Sequence, residues 1–449
     1  MTVAEPVDVL IIGAGFSGLQ AGLKLQQAGR SFRIIEARDR LGGRVKAGQI
    51  AGQTVDLGGM WTCDNQPLLM ELIGQHGLKT YPTYLDGHGI VDLLGKITRC
   101  PREDFAPALP LLAKFDFARL EGRLNRLIDA VDAKAPHVCD ADLDAMSFGE
   151  WMRQNVKTKG LSLMLTLITR SVFCAEPNEI SLLHWLAYVK SGKGIDSLIS
   201  AEPGGAQHLL VEGGMHQLTA QMAEPIRDSI ILNTAVQTVQ WSSEGVDVIT
   251  PQGHFAAKHL IVALAPPMAA GIQFDPPLPH ARDAIHQRMP MGAVIKVWIA
   301  YDRPFWRDTG LNGFLVSDTS GFSPCFDCSA PGGPGLIAGF FDASEASHWS
   351  AKTPGERRAE VLSLLAKHLG SQARTPIDYV ENDWTTEGWS RGCYGAYAPP
   401  GLWSRFGAAM RCPVGPIHWA GTEAATRWTG YIEGALQSGA RAASEILES

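Results

Sequence analysis

Three glycines, Gly13, Gly15 and Gly18, stand in the spacing G-x-G-x-x-G immediately after the apolar run Val7–Ile12. Glycine at those offsets between a strand and a helix is phosphate-binding chemistry. The first turns the chain, the second lets backbone approach a pyrophosphate, and the third lets helix pack on strand. A helical stretch ending at Gly29 follows, and its N-terminus would face the phosphates. A second apolar run, Phe32–Ile35, closes on Glu36, 18 residues beyond Gly18. That is close to the offset of about 20 at which an acid accepts hydrogen bonds from a ribose. The pattern predicts strand, turn, helix and strand around an adenine dinucleotide. Glycines serving packing alone would not need the strand before, the helix after and the acid beyond. On this motif the dinucleotide is FAD or NAD.

Residues 37–44 put two glycines and three arginines, Arg38, Arg40 and Arg44, directly after the acid. A nicotinamide enzyme would usually run on here into ordinary sheet and helix. At this point the sequence resembles the flavin-containing amine oxidase family, the monoamine oxidase group. The resemblance implies FAD, with Gly13, Gly15, Ser17, Gly18, Glu36 and Gly43 around its ADP portion. Arg38 and Arg44 would meet the adenosine and pyrophosphate. Their bland alternative is a solvated charged turn.

Further motifs carry the same resemblance. Residues 54–61 resemble the family's D-x-G-G segment, which places Gly58, Gly59, Met60 and Trp61 beside the flavin rings, where glycine allows backbone to come close. Val236 matches the residue whose backbone meets the adenine. Residues 292–298 alternate as a strand with Lys296 among apolar neighbours; a buried lysine is costly unless paired, which makes it a site candidate. The resemblance assigns Lys296 to a lysine holding a water near flavin N5, the alternative being that it points to solvent. Trp384 and residues 389–394 resemble a segment beside the flavin. In members with a cysteine at Cys393 the thiolate can be bonded to the flavin 8α carbon, whereas some relatives keep the cysteine and stay noncovalent.

Residues 419–435 are the most specific match. Gly421, Glu423, Gly430, Tyr431 and Ile432 are implied around the flavin, Gly430 and Ile432 at its pyrimidine end, where a helix dipole and backbone N–H groups stabilise developing charge. Tyr431 pairs with Tyr394 as an aromatic cage whose electron-rich faces guide an amine. Ile168, Val172, Ile199 and Gln207, with Phe326, match or adjoin positions lining the substrate cavity, although each reads equally well as core. Lys296, Tyr394 and Tyr431 are the candidate catalytic residues.

At 449 residues with 45% hydrophobic and 19% charged content, the chain can build two or three domains and has no disorder-prone tract. A net charge of −7 and no basic cluster interleaved with aromatics exclude nucleic acid as an expected partner. Eight scattered cysteines and no amino-terminal signal read as thiols in a reducing, cytoplasmic compartment. Cys325 and Cys328 form a lone C-x-x-C, and His216, His254 and His259 have no ligand spacing, so no metal is expected. Val7–Ile12 is too short to span a membrane, which takes about 20 apolar residues. The chain stops after a final helix without the anchoring tail of mitochondrial monoamine oxidases, and a soluble bacterial-type member is expected.

The expected fold class is α/β (α+β): a Rossmann-type FAD-binding domain built from discontinuous segments 1–80, 206–290 and 385–449, and a substrate domain of mixed sheet and helices from 81–205 and 291–384. Residues 66–81 read as a helix and 81–205 as a helical insertion. Residues 233–241, 246–249 and 259–265 read as strands, 302–306 with 317–335 as an edge of the substrate sheet, and Pro354–Leu369 as an amphipathic helix outside it. The last helix should bury Ile432, Leu436, Gly439, Ala443 and Ile446.

The expected activity is FAD-dependent oxidation of an amine C–N bond to an imine, hydrolysed to an aldehyde or ketone, with oxygen as partner and hydrogen peroxide as product. A monoamine without a carboxylate is favoured, since no motif fixes Arg170 or Glu202 in a pocket. Alternatives are an amine dehydrogenase passing electrons to a protein, an L-amino-acid or polyamine oxidase, and a noncatalytic flavoprotein scaffold. A homodimer is left open.

Overall fold

The computed structural model describes residues 2–3 and 5–448. Val7–Ile12 forms the predicted strand, with its last four residues fully in the core, parallel to Phe32–Ile35 on one side and Gly253–Val262 on the other. A strand covered on both faces is apolar along its buried length, which is why Val9–Ile12 does not alternate, while Asp8 at the less buried start pairs with Lys258. Among the described residues these strands belong to a nine-stranded sheet whose main path runs Ile230–Ile231, Phe32–Ile35, Val7–Ile12, Gly253–Val262, Gly245–Thr250, Thr238–Ser242 and Gln273–Asp275. Ile417–Trp419 also pairs with Gly253–Val262, bringing the C-terminal segment beside the N-terminal one.

The helix Phe16–Gln27 packs on this sheet and against the final helix Ile432–Leu447. A Cβ at Gly18 would overlap the Gly13 carbonyl oxygen, and one at Gly439 would overlap that of Ser17. The first and last helices therefore touch backbone to backbone. The expected inward stripe of the final helix is buried at Leu436, Gly439, Ala443 and Ile446.

A seven-stranded sheet runs Asp378–Asp383, Val294–Tyr301, Gly335–Asp342, Phe322–Asp327, Leu311–Ser317, His88–Leu93 and Lys96–Pro101. The helix Pro354–Leu369 opens with a capping box of Thr353 and Glu356, and lays Val361, Leu364, Leu365 and Leu369 on one face of that sheet. Leu111–Ala130, Phe148–Asn155, Lys159–Phe173 and Leu182–Ser191 form a separate helical layer around Phe148, Trp151 and Trp185.

Several local expectations are corrected. The helix at 66–81 is Pro67–Gln75; Gly77 at φ +65° ends it and Thr80–Pro82 is a strand. The segment 81–205 opens with a hairpin, His88–Leu93 and Lys96–Pro101, joined by Leu94 and Gly95 at positive φ, before its helices begin. The strand placed at 233–241 starts only at Thr238, because Asn233 and Thr234 instead donate backbone N–H to the carbonyls of Arg38 and Glu36. The strand at 259–265 is Gly253–Val262, and Pro266 opens a short helix. Residues 317–335 are no sheet edge: Phe322–Asp327 is interior, and Asp378–Asp383 and Lys96–Pro101 are the edges.

Gly439→Ala is expected to cost about 2–3 kcal/mol through backbone overlap with Ser17. The expected readout is a lowered thermal midpoint; a midpoint equal to wild type would contradict the close helix contact.

Candidate active site

One cavity runs from the glycine turn at Gly13 to the helical layer at Ile168 and Ile199. At its sheet end Gly13 turns at φ +103°, and the Glu36 carboxylate accepts from Ala14 N at 2.8 Å and Arg38 N at 3.0 Å. A Cβ at Gly15 would meet only Gly42 O, at 3.9 Å, and one at Gly43 only the Gly15 Cα, at 3.6 Å. Side chains at both would fill the space between the two turns. Phe16–Gln27 has no side-chain cap and no acid in its first turn, so its leading N–H groups are left for a ligand.

The arginines are not a solvated turn. Arg38 donates to Glu387 at 2.8 Å and Ser390 Oγ at 2.7 Å. Arg44 forks onto Glu423 at 2.6 and 3.1 Å and donates to the Tyr394 carbonyl at 2.8 Å. Each arginine thus ties residues 36–44 to the C-terminal third of the chain.

Lys296 points inward from the middle of Val294–Tyr301 and is 3% exposed. Its Nζ donates to Gly58 O at 2.7 Å and lies 2.9 Å from Met60 Sδ, with the rings of Trp298, Trp61 and Phe340 at 5.3, 5.9 and 5.9 Å. No acid pairs with it among the described residues. Burial therefore drives its pKa down to about 8, with the more distant charge of Asp56 opposing.

Tyr394 and Tyr431 both line the cavity. Phe340 packs edge-on to Tyr394 at 6.1 Å, and Trp428 edge-on to Tyr431 at 5.0 Å, fixing both rings. Burial pushes both phenols up, so both stay neutral. Burial also raises the Cys393 thiol, to about 12, against the lowering charge of Arg44. Tyr431 precedes Ile432–Leu447 without capping it, and Glu433 in that helix's first turn is occupied by Leu69 N at 2.9 Å. A second set of helix N–H groups is thereby left open to the cavity.

Gly13, Gly15, Ser17, Glu36, Arg38, Gly43, Arg44, Gly58, Gly59, Met60, Trp61, Lys296, Cys393, Tyr394, Gly421, Gly430, Tyr431 and Ile432 all line it, as do Ile168, Val172, Ile199, Gln207 and Phe326. Gly18, Val236, Trp384 and Glu423 do not. Gly18 is a packing contact, Val236 packs on the sheet cluster of Val239, Trp384 donates to Leu57 O at 2.8 Å behind Gly58, and Glu423 stands behind Arg44. Sequence reasoning missed Tyr188, Phe340 and Asp342. The first two sit in apolar runs indistinguishable from core. Asp342, a lone acid ending the apolar run Gly335–Asp342, carried a signal that could have been read.

Two uncapped helix N-termini and a cradle that a Cβ at Gly15 or Gly43 would fill fit a long dinucleotide with a pyrophosphate at one helix and, at the other, a ring that gains negative charge on reduction. The sequence profile described as flavin containing amine oxidoreductase matches residues 16–447. This chain belongs to that family. Its cofactor is FAD, and it is an oxidoreductase acting on amines.

Within the family, the putative flavin-containing monoamine oxidase AofH of Mycobacterium tuberculosis is 37% identical over 98% of this chain and 96% of its own. An L-amino acid dehydrogenase of Synechocystis is 35% identical over 100% of this chain and 96% of its own. Among solved structures, cyclohexylamine oxidase from Brevibacterium oxydans superposes with TM-score 0.93 at 35% identity, covering 99% of both chains. Putrescine oxidase bound to putrescine superposes with TM-score 0.94 at 31% identity over 100% of both. No helix among the described residues is long and apolar enough to cross a membrane.

The amine oxidase's Lys296 makes stability pH-dependent. With a folded pKa of about 8 against 10.5, the unfolded chain binds more protons between those values. Stability from this site is therefore full above about 10.5 and lost as pH falls to about 8, a swing of about 3 kcal/mol. Wild type should gain on Lys296→Met over that window in denaturant midpoints, and parallel curves would contradict a buried unpaired lysine.

Proposed function

We propose that this enzyme oxidises the C–N bond of a monoamine lacking a carboxylate. The product is an imine that hydrolyses to an aldehyde or ketone, and oxygen is reduced to hydrogen peroxide. The observation carrying this reading is the convergence of two neutral tyrosines and an unpaired buried lysine on the cavity that contains the dinucleotide cradle. Segments 1–80, 206–290 and 385–449 act as the discontinuous FAD domain, with the remainder as the substrate domain.

Gly13, Gly15, Ser17 and Gly43 take the pyrophosphate, and Glu36 the ribose. Arg38, Arg44 and the Val236 backbone serve the adenosine and pyrophosphate end. Gly58, Gly59, Met60 and Trp61 lie along the ring system, with Gly421, Gly430, Tyr431 and Ile432 at its pyrimidine end. Gly18, Trp384 and Glu423 support these groups from behind. FAD, when bound, supplies the two-electron chemistry and its return to the oxidised state.

Tyr394 and Tyr431 offer ring faces that draw in the amine's positive end and then hold the neutral amine, its α carbon turned inward. Ile168, Val172, Ile199, Phe326 and Phe340 exclude water around the substituent, and Gln207 supplies a polar contact. Lys296, its pKa brought to about 8, can give or take a proton at Nζ near neutrality and so serve a water needed for imine hydrolysis or reoxidation. Among the described residues the arginines lining the cavity are Arg38 and Arg44, which stand at its cofactor end paired with Glu387 and Glu423, so no guanidinium stands beside the cage to take a substrate carboxylate. That disfavours an L-amino acid.

With cyclohexylamine or benzylamine, oxygen uptake, peroxide and carbonyl product are expected in equal amounts. Fast turnover on an artificial acceptor with negligible oxygen uptake would instead mark a dehydrogenase. We also propose a thioether from Cys393 Sγ to the flavin 8α carbon, whose formation would break the S–H bond and one 8α C–H bond and pass the two electrons through the flavin to oxygen. Acid-precipitated protein should then keep its yellow colour, and free flavin in the supernatant would rule the bond out.

A further inference from the structure

Asp342 is the last residue of the strand Gly335–Asp342 and stands at the N-cap of the helix Ala343–Ser350. An aspartate at that position ordinarily accepts a hydrogen bond from the first turn. Here the side chain does not cap the helix. The next residue, Ala343, is held at φ +52°, a left-handed conformation that turns the chain away at this point. In register, Asp342 faces Val294 and Phe340 faces Lys296, so Asp342 and Phe340 share the cavity side of the sheet. Asp342 is 5% exposed and lines the cavity.

Among the described residues no other side chain donates a hydrogen bond to it or forms an ion pair with it. Arg170, whose charge reaches it, is bound to Glu176 at 2.9 Å. The groups around it are Arg170 from the helix Lys159–Phe173, Cys174 and Glu176 from the turn that follows, and Glu345 from the helix Asp342 precedes. Tyr394 and, two residues along the neighbouring strand, Lys296 complete the set. The acids lining the cavity are Glu36, occupied by two backbone N–H groups at the far end, and Asp342 beside the cage. A protonated amine entering an apolar cavity must shed a proton to react. A buried carboxylate with unused lone pairs beside the cage is placed to take it.

We propose that Asp342 meets the substrate's ammonium group beside Tyr394 and accepts its proton, so that the amine reacts neutral. This inference rests on the reading of the site as one that oxidises neutral amines. The step breaks one N–H bond of the ammonium and forms one O–H bond on the carboxylate. The electron pair stays on nitrogen, and the proton passes to solvent when the carboxyl ionises again. Burial raises the Asp342 carboxyl well above the ordinary carboxylate range, which brings it nearer to an amine in basicity and suits it to the transfer. A carboxylate at the cage differs from one at the far wall, which would serve a second ammonium of a diamine.

The test is the pH dependence of anaerobic flavin reduction by benzylamine and by the more basic cyclohexylamine, in wild type, Asp342→Asn and Asp342→Glu holoenzymes. In wild type the acid limb reports one enzyme group and falls at the same pH with both amines. In Asp342→Asn the limb should move up and separate, tracking each amine's own basicity. Reduction at neutral pH should be slower by about 100-fold, and the rates should converge on wild type once each amine is unprotonated. Asp342→Glu should retain an amine-independent limb. Superimposable profiles for wild type and Asp342→Asn would overturn the inference, as would a loss persisting undiminished at high pH, which marks a steric role. If no amine reduces wild type at any pH while dithionite does, the underlying reading fails and takes this inference with it. Normal reduction with unchanged profiles sinks the inference alone.

Discussion

Arg44 and Glu423 lie 379 positions apart, and the ion pair between them closes the protein around its cavity. Burying two charges costs several kcal/mol each, recovered only when geometry is good and the remaining polar atoms are satisfied. Here the guanidinium forks onto both carboxylate oxygens and donates to the Tyr394 carbonyl, while Glu423 also accepts from Ala396 N at 3.1 Å. Burial pushes the Glu423 carboxyl up, yet the charge and hydrogen bonds of Arg44, with Ala396 N, leave it lowered. The pair joins three stretches at one point: the turn after the ribose acid, the strand of chain carrying Cys393 and Tyr394, and the approach to Tyr431.

Much else follows from bringing the chain ends together. Ile417–Trp419 adds to the sheet begun by Val7–Ile12, and Gly439 lets the last helix lie against the backbone of the first. Both helices then open uncapped N-termini onto one cavity. The seven-stranded sheet contributes Lys296 and Phe340 as cross-strand neighbours, and the helical layer closes the apolar end with Ile168, Val172 and Ile199.

The glycine motif was legible in the sequence because its chemistry demands glycine at particular spacings, Lys296 stood out as a lysine among apolar strand neighbours, and the two tyrosines were read through the family resemblance. The final helix was legible as well, since its stripe follows a 3.6-residue period. Less legible were features fixed by tertiary contact. Asn233 and Thr234 sit in a run that reads as strand, but their N–H groups satisfy carbonyls at the ribose end, and the ladder starts later. The hairpin at His88–Leu93 and Lys96–Pro101 pairs with Leu311–Ser317, more than 200 residues on, and nothing local announces that partner. Tyr188 and Phe340 read as core because the cavity wall is an apolar surface like any other. Arg38 and Arg44 read as cofactor cations or a charged turn; their acid partners, Glu387 and Glu423, lie too far along the chain to be found by spacing.

On this account the cavity oxidises amines with its own flavin. Purified yellow protein mixed without air with benzylamine, phenethylamine, cyclohexylamine, a cyclic secondary amine, putrescine and an L-amino acid tests it directly through the oxidised flavin band. Bleaching by monoamines, with colour and peroxide returning when air is admitted, is the predicted result. A band unchanged by every amine, in protein whose flavin dithionite still reduces, would contradict it.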